Sequence, residues 1–323
     1  MRPTQSDVHV NRPLSSILVA YLQDEAKGIA NKVFPVVPVS HKTDIYYKWD
    51  REDFNRVSAA ERAPGTESEG GGFELDQATY NCREYAIHKD IEDPVRDNAD
   101  EELDLDGAAT RYVGFQLALK REVKFLATYF AASVWNVDQT GVSGTPSTNQ
   151  FKQWDAASST PIEDLREEIV NMEGLTGYRP NKLVLGPRVW KVLADHSELL
   201  DRIKYTQKGV VGPELLAGLL GLDEVLIPGL IQNSGLEGQT ESNDFIASKS
   251  ALLLYAPSKP SLMEPSAGYI FAWTKRFGAG PQGERIKKFR LENIESDRVE
   301  GQMNFDMKVV ATDLGKFFAS AVS

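Results

Sequence analysis

The sequence predicts an α+β protein organised around one long amphipathic helix. Three observations carry this. Between Asp104 and Trp135, the residues Tyr112, Phe115, Leu119, Val123, Leu126, Phe130 and Val134 follow one another at steps of three and four, which places them on one helical stripe. Upstream, Thr43–Asp50 and Thr79–Lys89 are rich in aromatic and β-branched residues and read as strands. Downstream, Pro- and Gly-punctuated helices alternate with short apolar runs, and the chain ends in β-prone segments.

The long helix has candidate N-caps in Asp104 and Asp106, with Glu101 and Glu102 upstream, where acidic charge suits the positive end of the helix dipole. Arg111, Lys120, Arg121 and Lys124 lie off the stripe, with Glu122. About 30 residues at 1.5 Å each give a rod of roughly 45 Å, which needs a long partner surface.

The other elements follow in order. Residues 1–13 are polar and read as an arm. Leu14, Ile17, Leu18, Tyr21 and Leu22 have helical spacing, ending near Gly28. Val33–Val39 is β-prone but holds Pro35 and Pro38, which suits an edge or an extended arm, not a central strand. Nearly 30 residues, with Pro64, Gly65 and a Gly70-Gly71-Gly72 run, separate the two aromatic strands. A hairpin normally turns in two to five residues. The excursion is therefore either a loop projected onto something else or a surface insertion. Gln139–Gln150 reads as an exposed loop. Thr160-Pro161-Ile162-Glu163 has the form of a capping box opening a helix that should stop at Gly174. Lys182–Leu185 reads as a buried strand, Gly186-Pro187 turns into a helix, and Pro213 opens another that stops at Gly221. Val225–Ile227, Ala251–Tyr255, Tyr269–Phe277, Arg285–Ile294 and Asn304–Ala311 read as strands.

Composition narrows the function. The chain has 323 residues, 41% hydrophobic, enough for a sizeable core. No apolar run reaches the roughly 20 residues of a membrane span, and no signal peptide is apparent. One cysteine, Cys82, forbids an intramolecular disulfide and suits a reducing compartment. In a β-prone run it reads as a small apolar filler. A net charge of −11 opposes broad adhesion to nucleic acid or anionic lipid.

Catalytic, cofactor and metal signals are not found. Gly278-Ala279-Gly280-Pro281-Gln282-Gly283 matches G-x-G-x-x-G, but ERIKKFRLENI after it reads as a strand, where a dinucleotide site needs a helix. His9, His41, His88 and His196 show no metal-ligand spacing, and no Walker A loop or G-x-S-x-G elbow occurs. Acidic pairs such as Glu167-Glu168 read as solvated helix faces. The basic cluster Lys275, Arg276, Arg285, Lys287, Lys288 and Arg290 stands out. On a strand, Arg285 and Lys287 face one side and Lys288 and Arg290 the other, which suits ion pairs with neighbouring subunits better than one nucleic-acid footprint.

This order of features resembles the tailed-phage major capsid proteins, which share the Hong Kong-type capsid fold. The run Tyr178-Arg179-Pro180-Asn181-Lys182-Leu183-Val184-Leu185-Gly186-Pro187-Arg188-Val189-Trp190 is similar to the strand–turn–helix common in that family, as is the run from His196 to Tyr205. The resemblance implies an N-terminal arm (1–39), an E-loop hairpin (40–89), a P-domain with spine helix (90–174), an A-domain (175–265) and P-domain C-terminal strands (266–323). It implies a non-enzymatic protein without cofactor that self-assembles into hexamers and pentamers of an icosahedral shell around double-stranded DNA. The location implied is the virion capsid, with the host cytoplasm before assembly. The E-loop residues Arg51, Phe54 and Phe73, with Arg285, Lys287, Lys288 and Arg290, are the subunit-interface candidates. Portal and cement proteins are further partners it implies; because only some 30–40 residues precede the E-loop, scaffolding is expected to be a separate protein or unnecessary. No lysine lies between Lys48 and Lys89, so the E-loop cross-link of some family members is expected to be absent. The runner-up with the same fold is an encapsulin-like compartment; the alternative of another class is a soluble nucleotide-binding enzyme.

Overall fold

The computed structural model describes residues 27–49, 55–72, 75–99, 104–203, 212–235, 238–260, 264–275 and 279–323. The expected arm, the helix around Leu14–Leu22, and Glu101 and Glu102 lie outside them. In chain order the elements are α1 (Ala30–Val33), β1 (Val36–Val39), β2 (Thr43–Trp49), β3 (Leu75–Asn81), β4 (Arg83–Glu92), α2 (Asp93–Asp97) and α3 (Leu105–Tyr129). Then come β5 (Gln139–Val142), β6 (Gln150–Lys152), α4 (Pro161–Thr176), β7 (Lys182–Leu185), α5 (Pro187–Ala194), α6 (Ser197–Ile203) and α7 (Pro213–Leu220). The rest are strands: β8 (Glu224–Leu226), β9 (Ile231–Asn233), β10 (Asn243–Phe245), β11 (Ala251–Leu254), β12 (Gly268–Trp273), β13 (Glu284–Leu291), β14 (Ser296–Val309) and β15 (Gly315–Ala319). No described helix is long and apolar enough to cross a membrane.

The long helix is α3, and it is shorter than its sequence pattern suggests. Asp104 caps it, accepting from the Gly107 N–H at 2.8 Å. It ends at Tyr129 because the Trp135 indole donates to the Tyr129 carbonyl at 2.9 Å and takes an acceptor the next turn would use. The expected stripe is only partly the buried face: Phe115 and Leu126 are buried, but Tyr112 is 40% exposed. The first half of α3 buries Val113 and Leu117 against β14, and the second half buries Phe125 and Tyr129 against Phe34. Two partner surfaces at different azimuths replace one stripe. Gly301 makes the first contact possible, since a Cβ there would lie 2.3 Å from Val113 Cγ1.

β14 is the centre of a five-stranded sheet. β4 runs along one side of it. On the other side lie β13 and β12, with β1 parallel to β12 at the edge, as its prolines predict. The expected strand Thr79–Lys89 is two strands, broken at Cys82: β3 pairs with β2 and β4 with β14. β14 also begins earlier than expected, because its polar first half, SDRVEGQ, hides its strand character.

The second sheet has the order β6-β5-β15-β11-β7-β8. Both its faces are buried. Leu183, Leu185, Leu253 and Phe318 face a cluster with Ile162, Leu165 and Met172 of α4. Val184, Leu252, Leu254 and Phe317 face the core that holds Phe125 and Tyr129. Runs such as LVL and ALLL are therefore continuous, not alternating. The stretch expected as an exposed loop supplies β5, pinned parallel to β15 through Gln139↔Phe318. This sheet draws strands from 90–174, 175–265 and 266–323, so those three segments meet in one core.

Two helix-end expectations also change. α4 has no side-chain bond from Thr160; its Ile162 N–H is met by Glu198 Oε2 of α6 at 3.1 Å. It runs past Gly174 to Gly177, which adopts φ 75° and ends it.

Candidate assembly surfaces

The β2–β3 hairpin leaves the body from an aromatic base. Tyr80 stacks on Phe271 at 4.7 Å and Tyr46 lies 5.2 Å from the same ring. The Asn81 N–H donates to Asp306 Oδ2 at 2.9 Å. Cys82 fills this base, fully buried, and burial pushes its thiol up to about 11, which suits filler and not nucleophile. Beyond the base, Ile45 and Tyr47 share the outer face and are 50% and 56% exposed. The connection runs from Trp49 to Leu75, and residues 55–72 are exposed throughout. Its candidates Arg51, Phe54 and Phe73 lie outside the described residues.

The basic strand β13 divides as its alternation predicts, and among the described residues only one of its two faces finds ion-pair partners. Lys288 Nζ reaches Asp106 at 2.7 Å and Asp297 at 3.8 Å. Arg290 holds Asp93 through both carboxylate oxygens. Arg96 bridges Asp106 and Asp297, each at 3.0 Å. Together these groups tie α2, the start of α3 and the β13–β14 turn into one network. The paired Arg96 and Lys288 hold the Asp106 carboxyl at about 2. Lys288 and Arg290, expected to meet neighbouring subunits, each find carboxylates within their own chain. Asp93, Asp106 and Asp297 are the partners that sequence reasoning missed, because they become neighbours only when β13 folds back beside α3. On the opposite face, Arg285 and Lys287 make no ion pair among the described residues, and Phe289 beside them is 38% exposed.

A polar cluster sits at the start of α4. The Trp154 indole donates to Asp164 at 3.0 Å, while burial pushes the Asp164 carboxyl up to about 6. His196 Nδ1 accepts the Glu198 N–H at 3.2 Å, which leaves the ring proton on Nε2, 3.2 Å from Ser159 Oγ. In that tautomer the imidazole donates to the serine and has no lone pair to activate it. Glu168, expected on a solvated face, is buried and pairs with Lys316 at 3.1 Å, because β15 packs against α4. Among the described residues no group of three His, Cys, Asp or Glu could hold a metal. The G-x-G-x-x-G segment turns at 281–283 and feeds a strand, leaving no helix N-terminus for a pyrophosphate.

No family model matches the chain. The chain is 23% identical over 295 residues to the major capsid protein of Burkholderia phage BcepMu, covering 89% of this chain and 90% of that protein. Among solved structures it superposes on a phage-related protein of Bordetella bronchiseptica with a TM-score of 0.69 at 18% identity, covering 97% of both chains. The capsid of cyanophage P-SCSP1u gives 0.58 at 12% identity, covering 90% of this chain and 87% of that one. The SrpI encapsulin of Synechococcus elongatus gives 0.51 at 9%, covering 97% and 98%. The fold is therefore the Hong Kong-type capsid fold. Among proteins of that fold, the chain is similar in sequence to the phage BcepMu major capsid protein over 89% of its length.

Proposed function

We propose that this chain is the major capsid protein of a tailed phage, a structural subunit that self-assembles into hexamers and pentamers of an icosahedral shell around double-stranded DNA. The observation that carries the reading is the β2–β3 hairpin: its base is packed on Phe271, while residues 55–72 are exposed among the described residues. The hairpin acts as an E-loop laid over an adjacent subunit, with Arg51, Phe54 and Phe73 in the contact. The β14-centred sheet with α3 serves as P-domain, and the segment 175–265 forms the bulk of the A-domain. Arg285 and Lys287 meet carboxylates of a neighbour. The shell is held by non-covalent contacts, with portal, scaffolding or cement proteins as separate chains, and the subunit passes from host cytoplasm to virion.

The encapsulin neighbour supports a second reading on the same fold, a shell around protein cargo. Electron microscopy and size-exclusion of the purified protein test both. Megadalton closed shells are expected, containing or able to be filled with DNA. A co-purifying enzyme inside them selects the second reading, and a small oligomer overturns both.

A further inference from the structure

We propose that the groove between α3 and β4 binds phosphodiester groups of duplex DNA, on the side chains of Arg83, Lys120 and Lys124. This names a contact site for the enclosed DNA and rests on the capsid reading. Two adjoining cavities of about 240 and 390 Å³, both bordered by Tyr85, form the groove. One wall is a stripe of α3 at steps of four, Gln116, Lys120, Lys124 and Thr128; the other is β4 from Arg83 to Ile87. Lys120 Nζ stands 5.8 Å over the Tyr85 ring. Arg83 and Lys120 are exposed and Lys124 is half-buried.

None of these three cations has a carboxylate partner among the described residues, whereas Lys288, Arg290 and Arg298 elsewhere on the same sheet are held by their own chain. The carboxylates of the groove are already engaged. Asp306 meets Lys308 at 3.5 Å and the Asn81 N–H at 2.9 Å, and Glu84 is not free. In a chain of net charge −11, a run of unpaired cations along a groove is a local reversal of sign. Lys120 and Lys124 stand one helical turn apart, about 6 Å along the axis. Cations spread in a row match a line of charges, and one DNA strand carries a phosphate about every 3.4 Å of rise. A single carboxylate would need cations that converge on one point.

The test is fluorescence anisotropy of the full-length unassembled subunit with a short duplex DNA, at low and at physiological salt. The native chain is expected to bind with an affinity that falls as salt rises. Lys120→Gln with Lys124→Gln should lose about tenfold at low salt and flatten the salt dependence by roughly two phosphate contacts. Arg83→Gln, at the exposed rim, should show a smaller loss and carries the test if the double variant fails to fold. Unchanged affinity and salt dependence in a folded variant, or no binding by the native chain at low salt, overturns the proposal. So does a variant that binds DNA normally but forms no shells, which would assign the groove to a carboxylate of a second copy. Shell formation by the native chain is scored separately by electron microscopy. Its failure alone would sink the capsid reading and leave the phosphate site standing.

Discussion

Glu122 Oε1 accepts the Ala30 N–H at 2.7 Å, so a carboxylate of the long helix caps the first turn of α1. At the other end of α1, Lys182 Nζ donates to the Val33 carbonyl at 3.0 Å. One group comes from α3 and the other from β7, so α1 bridges the long helix and the second sheet. Burial raises the Glu122 carboxyl and lowers the Lys182 ammonium, since each charge is desolvated.

Removing Glu122 should therefore destabilise the chain. Glu122→Ala leaves a buried N–H unpaired, at a cost of about 1–3 kcal/mol. Glu122→Gln keeps an acceptor and should cost less. Because the folded carboxyl lies above its unfolded value, ionised Glu122 opposes folding at neutral pH, and that penalty fades as pH falls toward the ordinary carboxylate value of 4.5. Chemical denaturation of native chain and Glu122→Gln across this window should show the two curves diverging in slope. Parallel curves would contradict the assignment.

Asp106 behaves in the opposite sense. Its folded carboxyl is held at about 2, below the ordinary 3.8, so its stabilisation is present above the ordinary value and lost as pH falls through the folded one. The side chain is 36% exposed, so water screens the gain to ~1 kcal/mol or less. Asp106→Asn should flatten acid denaturation between these values. Identical acid curves for variant and native chain would show that the network contributes nothing.

Gly301→Ala should separate α3 from β14. The added methyl meets Val113 and Leu117, whose Cδ1 would lie 2.8 Å away. Overpacking of this kind costs about 1–3 kcal/mol. Thermal unfolding is expected to shift down, and pairing Gly301→Ala with Val113→Ala should recover part of the loss. No shift would mean the helix moves freely over the sheet.

Arg285→Glu with Lys287→Glu should leave the subunit folded, since neither residue makes an ion pair among the described residues, but impair assembly. Arg290→Glu should instead lower the stability of the subunit itself, because it faces Asp93. Circular dichroism and particle yield separate the two effects. Normal particles with unchanged salt resistance in the first variant would remove these residues from the interface.

Much of the fold was legible where the signal is local. Pro161, Pro187 and Pro213 each open a helix, and Gly221, at φ 68°, closes one. The paired aromatic strands and the long excursion between them were legible for the same reason. The misses share a different cause, a partner far away in the chain. β5 joins the large sheet because β15 arrives beside it, nearly 180 residues later. The end of α3 depends on the Trp135 indole, and the intrachain partners of Lys288 and Arg290 depend on how β13 folds back. Periodicity marks α3 as amphipathic but does not reveal that its two halves pack in different directions.

The connection between β2 and β3 is expected to become ordered on a neighbouring subunit. Ordering each residue costs about 1–2 kcal/mol of backbone entropy. Residues 55–72 are exposed, and Val57 among them is 90% exposed, so burial within the chain does not offset that cost. Hydrogen exchange of residues 55–72, measured on the free subunit and on assembled particles, tests this most directly. Fast exchange in the subunit and strong protection in the particle are predicted; equal exchange in both states would contradict the account.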